Sequence, residues 1–166
     1  MTQTKKIYFA HGKESGPQGR KILRLSEVAK KMGFETESPS YEGMNEPEER
    51  IKKLLNLYEP RDTIILVGSS MGAYVSTVAS RHIKPDGLFL LAPAFYIDSY
   101  PEKIPEPEAR QIEIVHGWKD DLISPKNIFH YAEQFGIKLH MLDSNHRLSD
   151  CVEDIAEIFK NFLKKF

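Results

Sequence analysis

Two unbroken apolar runs, at residues 63–67 and 87–92, constrain the fold more than any other feature of this sequence. A strand with one face in water alternates apolar and polar side chains, whereas a strand covered on both faces is apolar throughout. A segment with helical character, residues 73–81, separates the two runs. Because such strands pair in parallel through right-handed crossovers, the pattern predicts an α/β fold with helices on both faces of a mostly parallel sheet.

The alternation of predicted strands and helices extends over the rest of the chain. Four more strands are predicted, at residues 7–10, 34–38, 111–115 and 138–142. Apolar residues at helical spacing predict four more helices, at residues 22–32, 47–58, 127–134 and 151–164. Gly33 and Pro60 are typical helix-ending residues after the first two of these helices. At 166 residues the chain fits one domain, residues 1–166, built as a three-layer α/β/α sandwich around a six-stranded sheet.

Composition narrows the expected partners and compartment. Charged residues make up 28% of the chain and the formal net charge is -1, so neither nucleic acid nor an anionic membrane is expected as a partner. Cys151 is the only cysteine, which excludes an intrachain disulfide and a thiolate metal cluster. The sequence has no signal-peptide pattern after Met1 and no apolar stretch of membrane-spanning length. We expect a cytoplasmic monomer or weak homodimer that acts on a small molecule.

The first buried run leads into Gly68-Ser69-Ser70-Met71-Gly72, which matches the pattern G-x-S-x-G. Between a strand and a helix, this pattern is the sequence form of a nucleophile elbow, a sharp turn that exposes a serine hydroxyl above the sheet. Glycine on both sides lets the strained turn lie close to its neighbours. Ser70 has this symmetric flanking and Ser69 does not, so Ser70 is the candidate nucleophile. A pattern this short also arises by chance, and a turn with no catalytic role is the alternative.

Polar residues follow two other strands at the same predicted edge of the sheet. In sheets of this kind, ligands bind beyond the carboxyl ends of the strands. Asp120 follows the fifth strand within the segment HGWKDD, and His146 follows the sixth strand. We predict His146 as the general base and Asp120 as the acid that orients it, with Asp121 as the adjacent alternative. The order Ser70, Asp120, His146 along the chain is that of α/β-hydrolases.

These roles follow from the chemistry of acyl transfer. A serine hydroxyl is a weak nucleophile until an imidazole accepts its proton, and a carboxylate fixes the imidazole tautomer and stabilises its charged form. The substrate carbonyl oxygen becomes negative and needs fixed donors, each typically worth about 3 kcal/mol of transition-state stabilisation. The backbone N–H of Met71, at the start of a helix, is one predicted donor. The backbone N–H of Lys13, after His11 and Gly12, is the other.

Four segments, FAHGKES, GSSMG, HGWKDD and NHRLSD, resemble the small, lidless α/β-hydrolases, especially YqiA-type esterases and dienelactone-hydrolase-like proteins. The resemblance covers nearly the whole chain, and it matches Asp120 to the acid of the superfamily and Lys13 to an oxyanion-hole donor. It implies a minimal α/β-hydrolase fold with strand order 2-1-3-4-5-6, without two N-terminal strands that larger members carry. Residues 95–108 are too few for a helical lid domain, which argues against lipase activity on aggregated lipid.

Other residues near this edge have less specific assignments. Candidates for a substrate pocket are His11, Phe95, Tyr96 and Trp118, together with Tyr41, although aromatic residues at such positions are as often packing residues. Three further histidines are assigned to surface or structural roles: His82, His130 and His140.

No metal or organic cofactor is predicted. His116 and Asp120 have a spacing that could ligate a metal on a helix, but Gly117 favours a loop and no third ligand is nearby. The glycine-rich loop at residues 12–21 precedes a helix, yet it matches neither of the glycine patterns that bind nucleotide phosphates. The chain is therefore predicted to be a serine hydrolase that cleaves small, soluble carboxylic esters. An acyl-thioesterase, a small-peptide hydrolase and a non-catalytic binding protein of the same fold are the alternatives.

Overall fold

Strands and helices alternate along the protein, which a computed structural model describes over residues 2–166. The six strands are β1 (Lys5–Ala10), β2 (Glu35–Glu37), β3 (Thr63–Ser69), β4 (Gly87–Leu91), β5 (Gln111–Gly117) and β6 (Lys138–Leu142). The five helices are α1 (Arg20–Lys31), α2 (Pro47–Leu57), α3 (Met71–Ile83), α4 (Pro125–Phe135) and α5 (Val152–Leu163). All the predicted strands and helices are confirmed. β3 runs further than predicted, to Ser69, so that this strand leads directly into Ser70.

The strands form one sheet in the order β2-β1-β3-β4-β5-β6, as the resemblance implied. Every neighbouring pair within residues 2–166 is parallel, so the sheet is wholly rather than mostly parallel. The register aligns the carboxyl ends of neighbouring strands: Ala10 pairs with Gly68, Ser69 with Leu91 and Gly117 with Leu142. The loops that follow β1, β3, β4, β5 and β6 therefore leave from the same edge of the sheet.

Helices cover both faces of the sheet, which confirms the three-layer arrangement. Successive side chains of a strand point to opposite faces. In β3, Ile64 and Leu66 pack with α2, α3 and α4, whereas Ile65 and Val67 pack with α1 and α5. All four side chains are buried. The unbroken apolar run thus reflects a central strand with both faces covered.

The helices are short, and α1 and α2 carry residues that are typical of helix ends and starts. Gly33, just after α1, has φ 87°, the left-handed conformation that glycine adopts readily beyond a helix end. Pro47 occupies the first turn of α2, where its missing N–H has no helical partner to lose. The longest helix, α3, has 13 residues. No helix within residues 2–166 is long and apolar enough to cross a membrane.

The segment between β4 and β5 packs against the helices. The Glu102 N–H donates a hydrogen bond to the Tyr74 hydroxyl of α3 at 3.2 Å. The Tyr131 hydroxyl of α4 donates to the Pro105 carbonyl at 2.7 Å. This segment contains no helix, so the described structure carries no helical lid between these two strands.

Candidate active site

Ser70 lies on a tight turn between β3 and α3. Its backbone has φ 55° and ψ -116°, a conformation that costs a residue with a side chain on the order of 1–3 kcal/mol. A Cβ at Gly68 would collide with the backbone of Gly72 and Ala73, and a Cβ at Gly72 would collide with the backbone of Ala10. Glycine is therefore required at both flanking positions, as the elbow pattern predicts.

Hydrogen bonds from two neighbouring elements hold the strained turn. The Ser70 N–H donates to the Leu91 carbonyl at the end of β4 at 2.9 Å. The Ser70 carbonyl accepts from the N–H groups of Ala73, at 3.0 Å, and Ala94, at 3.1 Å. The backbone of Ser70 is thus tied to β4 on one side and to α3 on the other. The turn is fixed by packing and hydrogen bonding, which is the condition under which such strain persists.

The structure brings Ser70, His146 and Asp120 together in one hydrogen-bonded chain. Ser70 Oγ lies 2.9 Å from His146 Nε2. His146 Nδ1 lies 2.7 Å from Asp120 Oδ2. Because a carboxylate accepts hydrogen bonds, the ring proton is assigned to Nδ1, and Nε2 is left to accept the serine proton. These are the contacts that a nucleophile, a base and an orienting acid require.

The carboxylate of Asp120 is fully buried and fully bonded. Its Oδ1 accepts hydrogen bonds from the N–H groups of Leu122, at 2.9 Å, and Ile123, at 2.8 Å. Burial by itself raises the pKa of Asp120, but the hydrogen bonds from His146 and from the Ile123 N–H outweigh it and hold the pKa below its ordinary value. Asp120 is therefore a carboxylate at neutral pH. Asp121, the alternative, is exposed on the loop, and the carboxylate that meets His146 is that of Asp120.

His116 supports the same loop from inside the protein. Its Nε2 donates to the Ile123 carbonyl at 3.0 Å and lies 3.3 Å from Asp120 Oδ2. Burial lowers the pKa of His116, so its imidazole is neutral. His116 therefore braces the Asp120 loop, and the imidazole that contacts Ser70 is that of His146. Within residues 2–166, no group of three or more His, Cys, Asp or Glu side chains is arranged to hold a metal ion.

A buried leucine fixes the loop that carries His146. Leu148 is fully buried and has φ 55°, an uncommon backbone conformation for a leucine. Its N–H donates to the Asn145 carbonyl at 3.2 Å, and its carbonyl accepts from the Cys151 N–H at 3.4 Å. Lys21 of α1 reaches across to donate to the Arg147 carbonyl. Sequence reasoning missed Leu148, because no sequence pattern marks a leucine that must adopt a left-handed conformation.

Of the two predicted oxyanion donors, Met71 follows Ser70 directly in the chain, and Lys13 lies on the loop after β1. Met71 is the first residue of α3, and within residues 2–166 its N–H has no hydrogen-bond acceptor. The loop after β1 passes close to Ser70, since a Cβ built on Gly12 would lie 3.4 Å from the Ser70 Cβ. Lys13 follows on this loop, and its N–H also lacks an acceptor within the described residues. Neither amide is engaged by the described residues, and their role as oxyanion donors stays a prediction.

The predicted pocket residues differ in their surroundings. His11 is fully buried. Phe95 is buried in the core, where its ring centroid lies 4.3 Å from that of Tyr131. Tyr96 is half-buried with φ 60°. Trp118 is 62% exposed. A shared role of these side chains in lining a pocket stays a prediction.

Comparisons with known proteins agree with the fold. No protein-family model matches the chain, and no curated protein matches it in sequence. Among solved structures, a candidate hydrolase of the alpha/beta superfamily from Xanthomonas campestris pv. campestris is similar at 27% identity, with a TM-score of 0.88 over 98% of this chain and 99% of the other. A lidless α/β serine hydrolase from Xanthomonas campestris matches at 16% identity and a TM-score of 0.76, over 99% and 83%.

An esterase from Pyrococcus furiosus gives a similar result. It is 16% identical to this chain, with a TM-score of 0.79 over 99% of this chain and 83% of its own length. At such identities the likeness concerns the fold. The strand order, the parallel sheet and these neighbours agree with what the four sequence segments implied, and the chain has the fold of the α/β-hydrolase superfamily.

Proposed function

We propose that this protein is a serine hydrolase that cleaves small, soluble carboxylic esters through an acyl-enzyme on Ser70. The observation that supports the proposal most directly is the chain of two hydrogen bonds from Ser70 Oγ to His146, at 2.9 Å, and from His146 to Asp120, at 2.7 Å. A general base needs this geometry first and a suitable protonation state second. A serine with only a structural role in a turn would need neither His146 nor Asp120 as a partner.

The reaction proceeds in two balanced halves. In the first, His146 Nε2 accepts the proton of Ser70 as its Oγ bonds to the carbonyl carbon, and the imidazolium then gives that proton to the leaving alcohol. In the second, His146 accepts a proton from water, the hydroxide oxygen attacks the acyl carbon, and Ser70 regains its proton as the acid leaves. The N–H groups of Met71 and Lys13 stabilise the oxyanion in both halves.

Asp120 contributes through its charge and its fixed position. It is ionised because hydrogen bonds lower its pKa despite burial. Its two main-chain donors, the N–H groups of Leu122 and Ile123, hold Oδ1, so Oδ2 stays directed at His146 Nδ1. The carboxylate therefore orients the imidazole and stabilises the imidazolium that forms during attack.

Ester substrates are favoured over the alternatives by the neighbours of the fold. One similar structure is an esterase, and another is a serine hydrolase without a lid. The absence of a helical lid between β4 and β5 in the described residues suits a small substrate in solution.

We place the reaction in a reducing compartment, the cytoplasm, on the strength of the single buried Cys151. No metal or cofactor takes part in the proposed chemistry.

Two adjacent serines provide a matched test of the proposal. The experiment measures hydrolysis of p-nitrophenyl acetate by the wild type, by Ser70→Ala and by Ser69→Ala. We expect Ser70→Ala to lose on the order of 10³-fold or more in kcat, because the nucleophile is gone. Ser69 is buried at the end of β3, and its variant is expected to keep activity within a few-fold of wild type.

Circular dichroism and thermal unfolding of all three proteins show whether each is folded. Hydrolysis by folded Ser70→Ala at the wild-type rate would contradict the proposal. Folded wild-type protein that cleaves esters, thioesters and peptides no faster than buffer would favour the non-catalytic alternative.

A further inference from the structure

Helix α2 places a buried arginine beneath the loop that carries Lys13. Arg50 is 1% exposed. A buried cation is costly unless nearby groups compensate for the loss of water. Within residues 2–166, no carboxylate forms a salt bridge with Arg50; its hydrogen bonds go to two main-chain carbonyls instead. Nε donates to the Met44 carbonyl at 2.9 Å, and Nη1 donates to the His11 carbonyl at 2.7 Å.

The second of these carbonyls belongs to the loop beside the nucleophile. His11 follows β1 directly, and the next residue, Gly12, passes close to Ser70. Met44 lies in the segment that leads into α2. Arg50 therefore ties the loop after β1 to the segment before α2. A guanidinium suits this task because its planar donors can hold two acceptors at fixed directions.

The side chain of His11 fixes the next peptide of the same loop. The Tyr41 N–H donates to His11 Nε2 at 2.8 Å, and a main-chain N–H can only donate. The ring proton must therefore lie on Nδ1, which is 2.7 Å from the Gly12 carbonyl and donates to it. Burial lowers the pKa of His11, and the charge of Arg50 adds to the effect, so the ring stays neutral in this tautomer.

These bonds determine the direction of the Lys13 amide. In a trans peptide the C=O and N–H groups point in opposite directions. With the Gly12 carbonyl held on the His11 side chain, the Lys13 N–H of the same peptide is directed away from that side chain. A peptide whose carbonyl accepts a hydrogen bond is also polarised, so its N–H becomes a stronger donor.

We propose that Arg50 and His11 are positioning residues, which hold two consecutive carbonyls of this loop so that the Lys13 N–H serves as an oxyanion donor. The inference rests on the proposed function, since it assigns these residues to the same reaction. Both side chains are buried, and the inference assigns neither of them a contact with the substrate. Their effect is therefore expected in the transition state, where the oxyanion forms, and not in the binding of the ester itself.

Lys6 supplies a matched control for Arg50. It is also a buried cation, 4% exposed, but it lies in β1 and pairs with Glu37 at 2.7 Å. The test measures kcat and KM for p-nitrophenyl acetate in Arg50→Met, Arg50→Lys and Lys6→Met. We expect Arg50→Met to lower kcat by about 10- to 100-fold with KM within about threefold, because a single oxyanion donor accounts for 10²–10³ in kcat. Arg50→Lys should recover part of that loss.

Lys6→Met separates positioning from stability. It should lower the temperature of unfolding and leave kcat within about twofold of wild type, because its partners lie away from the Ser70 loop. Wild-type kcat in folded Arg50→Met would overturn the inference. An equal loss of kcat in Lys6→Met would overturn it as well, since the effect would then follow stability alone.

A second measurement does not depend on activity. The ¹⁵N shifts of the His11 ring report which nitrogen carries the proton. We expect the Nδ1–H tautomer in the wild type and in Ser70→Ala, and a change of the Lys13 amide resonance in Arg50→Lys. An Nε2–H tautomer of His11 would overturn the inference even if the ester is cleaved at Ser70. Equal ester hydrolysis by wild type and Ser70→Ala would overturn the proposed function, and the inference with it.

Discussion

Two carboxylate–imidazole pairs join the last two strands of the sheet, and only one of them meets a serine. Glu113 in β5 lies 2.6 Å from His140 Nε2 in β6. Asp120, after β5, lies 2.7 Å from His146 Nδ1, after β6. Both carboxylates are buried. The contact between acid and imidazole is thus nearly the same in the two pairs, and it cannot by itself identify a catalytic base.

The two pairs differ in the other partners of each group. Glu113 also bonds Lys165 at 2.8 Å, so a cation shares its charge. Main-chain N–H groups hold Oδ1 of Asp120 instead, and its other oxygen, Oδ2, accepts from His146. The second ring nitrogen of His146 meets Ser70 Oγ at 2.9 Å. An acid–imidazole pair can therefore act on a nucleophile only where it lies at the carboxyl edge of the sheet, next to the turn that carries Ser70.

Removal of the two histidines is expected to separate the pairs most strongly. His146→Ala should lower kcat by on the order of 10⁴-fold or more, because no group is left to accept the serine proton. His140→Ala should leave kcat within about twofold and affect only stability. Steady-state hydrolysis of p-nitrophenyl acetate, with thermal unfolding of each variant, measures both. A comparable loss of kcat in the two variants would mean that activity follows the integrity of β6.

The carboxylates give the next largest effect. Asp120→Asn should lower kcat by about 10⁴-fold, because an amide stabilises the wrong tautomer and cannot stabilise the imidazolium. Glu113→Gln makes the same chemical change in the other pair, and Asp121→Asn makes it at the next residue; both should leave kcat within a few-fold. If Asp121→Asn shows the large loss and Asp120→Asn does not, the assigned carboxylate is wrong.

The smallest effect is the pH dependence of stability. Burial by itself raises the pKa of Glu113, but hydrogen bonds from Lys165 and His140 outweigh it and lower the pKa overall. The pKa of Asp120 is likewise lowered overall. A carboxyl group whose folded pKa lies below its unfolded value, about 4, stabilises the protein above that value. This contribution is lost as the pH falls through the folded pKa. Urea unfolding between about pH 6 and pH 3 should therefore show falling stability.

The carboxamide variants test that assignment group by group. Glu113→Gln and Asp120→Asn should each flatten the decline in the free energy of unfolding below about pH 4, since neither side chain can then be protonated. Asp121→Asn is the exposed control and should leave the slope unchanged. A decline as steep as that of the wild type in both carboxamide variants would show that other acidic groups determine it.

The sequence indicates much of this arrangement because the signals are local. Apolar runs such as residues 63–67 predict buried strands, and the pattern around Ser70 predicts a turn whose neighbours must be glycine. The order of strands followed from the resemblance of four segments. The partner of His146 could be narrowed to two adjacent acids, and the geometry favours Asp120.

The residues that escaped prediction act through contacts distant in sequence. Arg50 stands among charged residues in an amphipathic helix, where an arginine normally faces water, and its burial depends on the loop 39 residues earlier. Leu148 gives no signal, because its left-handed backbone accompanies the burial of its side chain in the core formed with α1 and α5. His140 lies in a strand, and nothing in the sequence shows that Glu113 lies next to it.

Activation of Ser70 by His146 and Asp120 is tested most directly by intact-mass spectrometry after treatment with a fluorophosphonate. The wild type and Ser69→Ala should each gain the mass of one adduct, and Ser70→Ala should gain none. An adduct on folded Ser70→Ala would place the nucleophile elsewhere. No adduct on folded wild-type protein would contradict the claim that His146 and Asp120 activate Ser70.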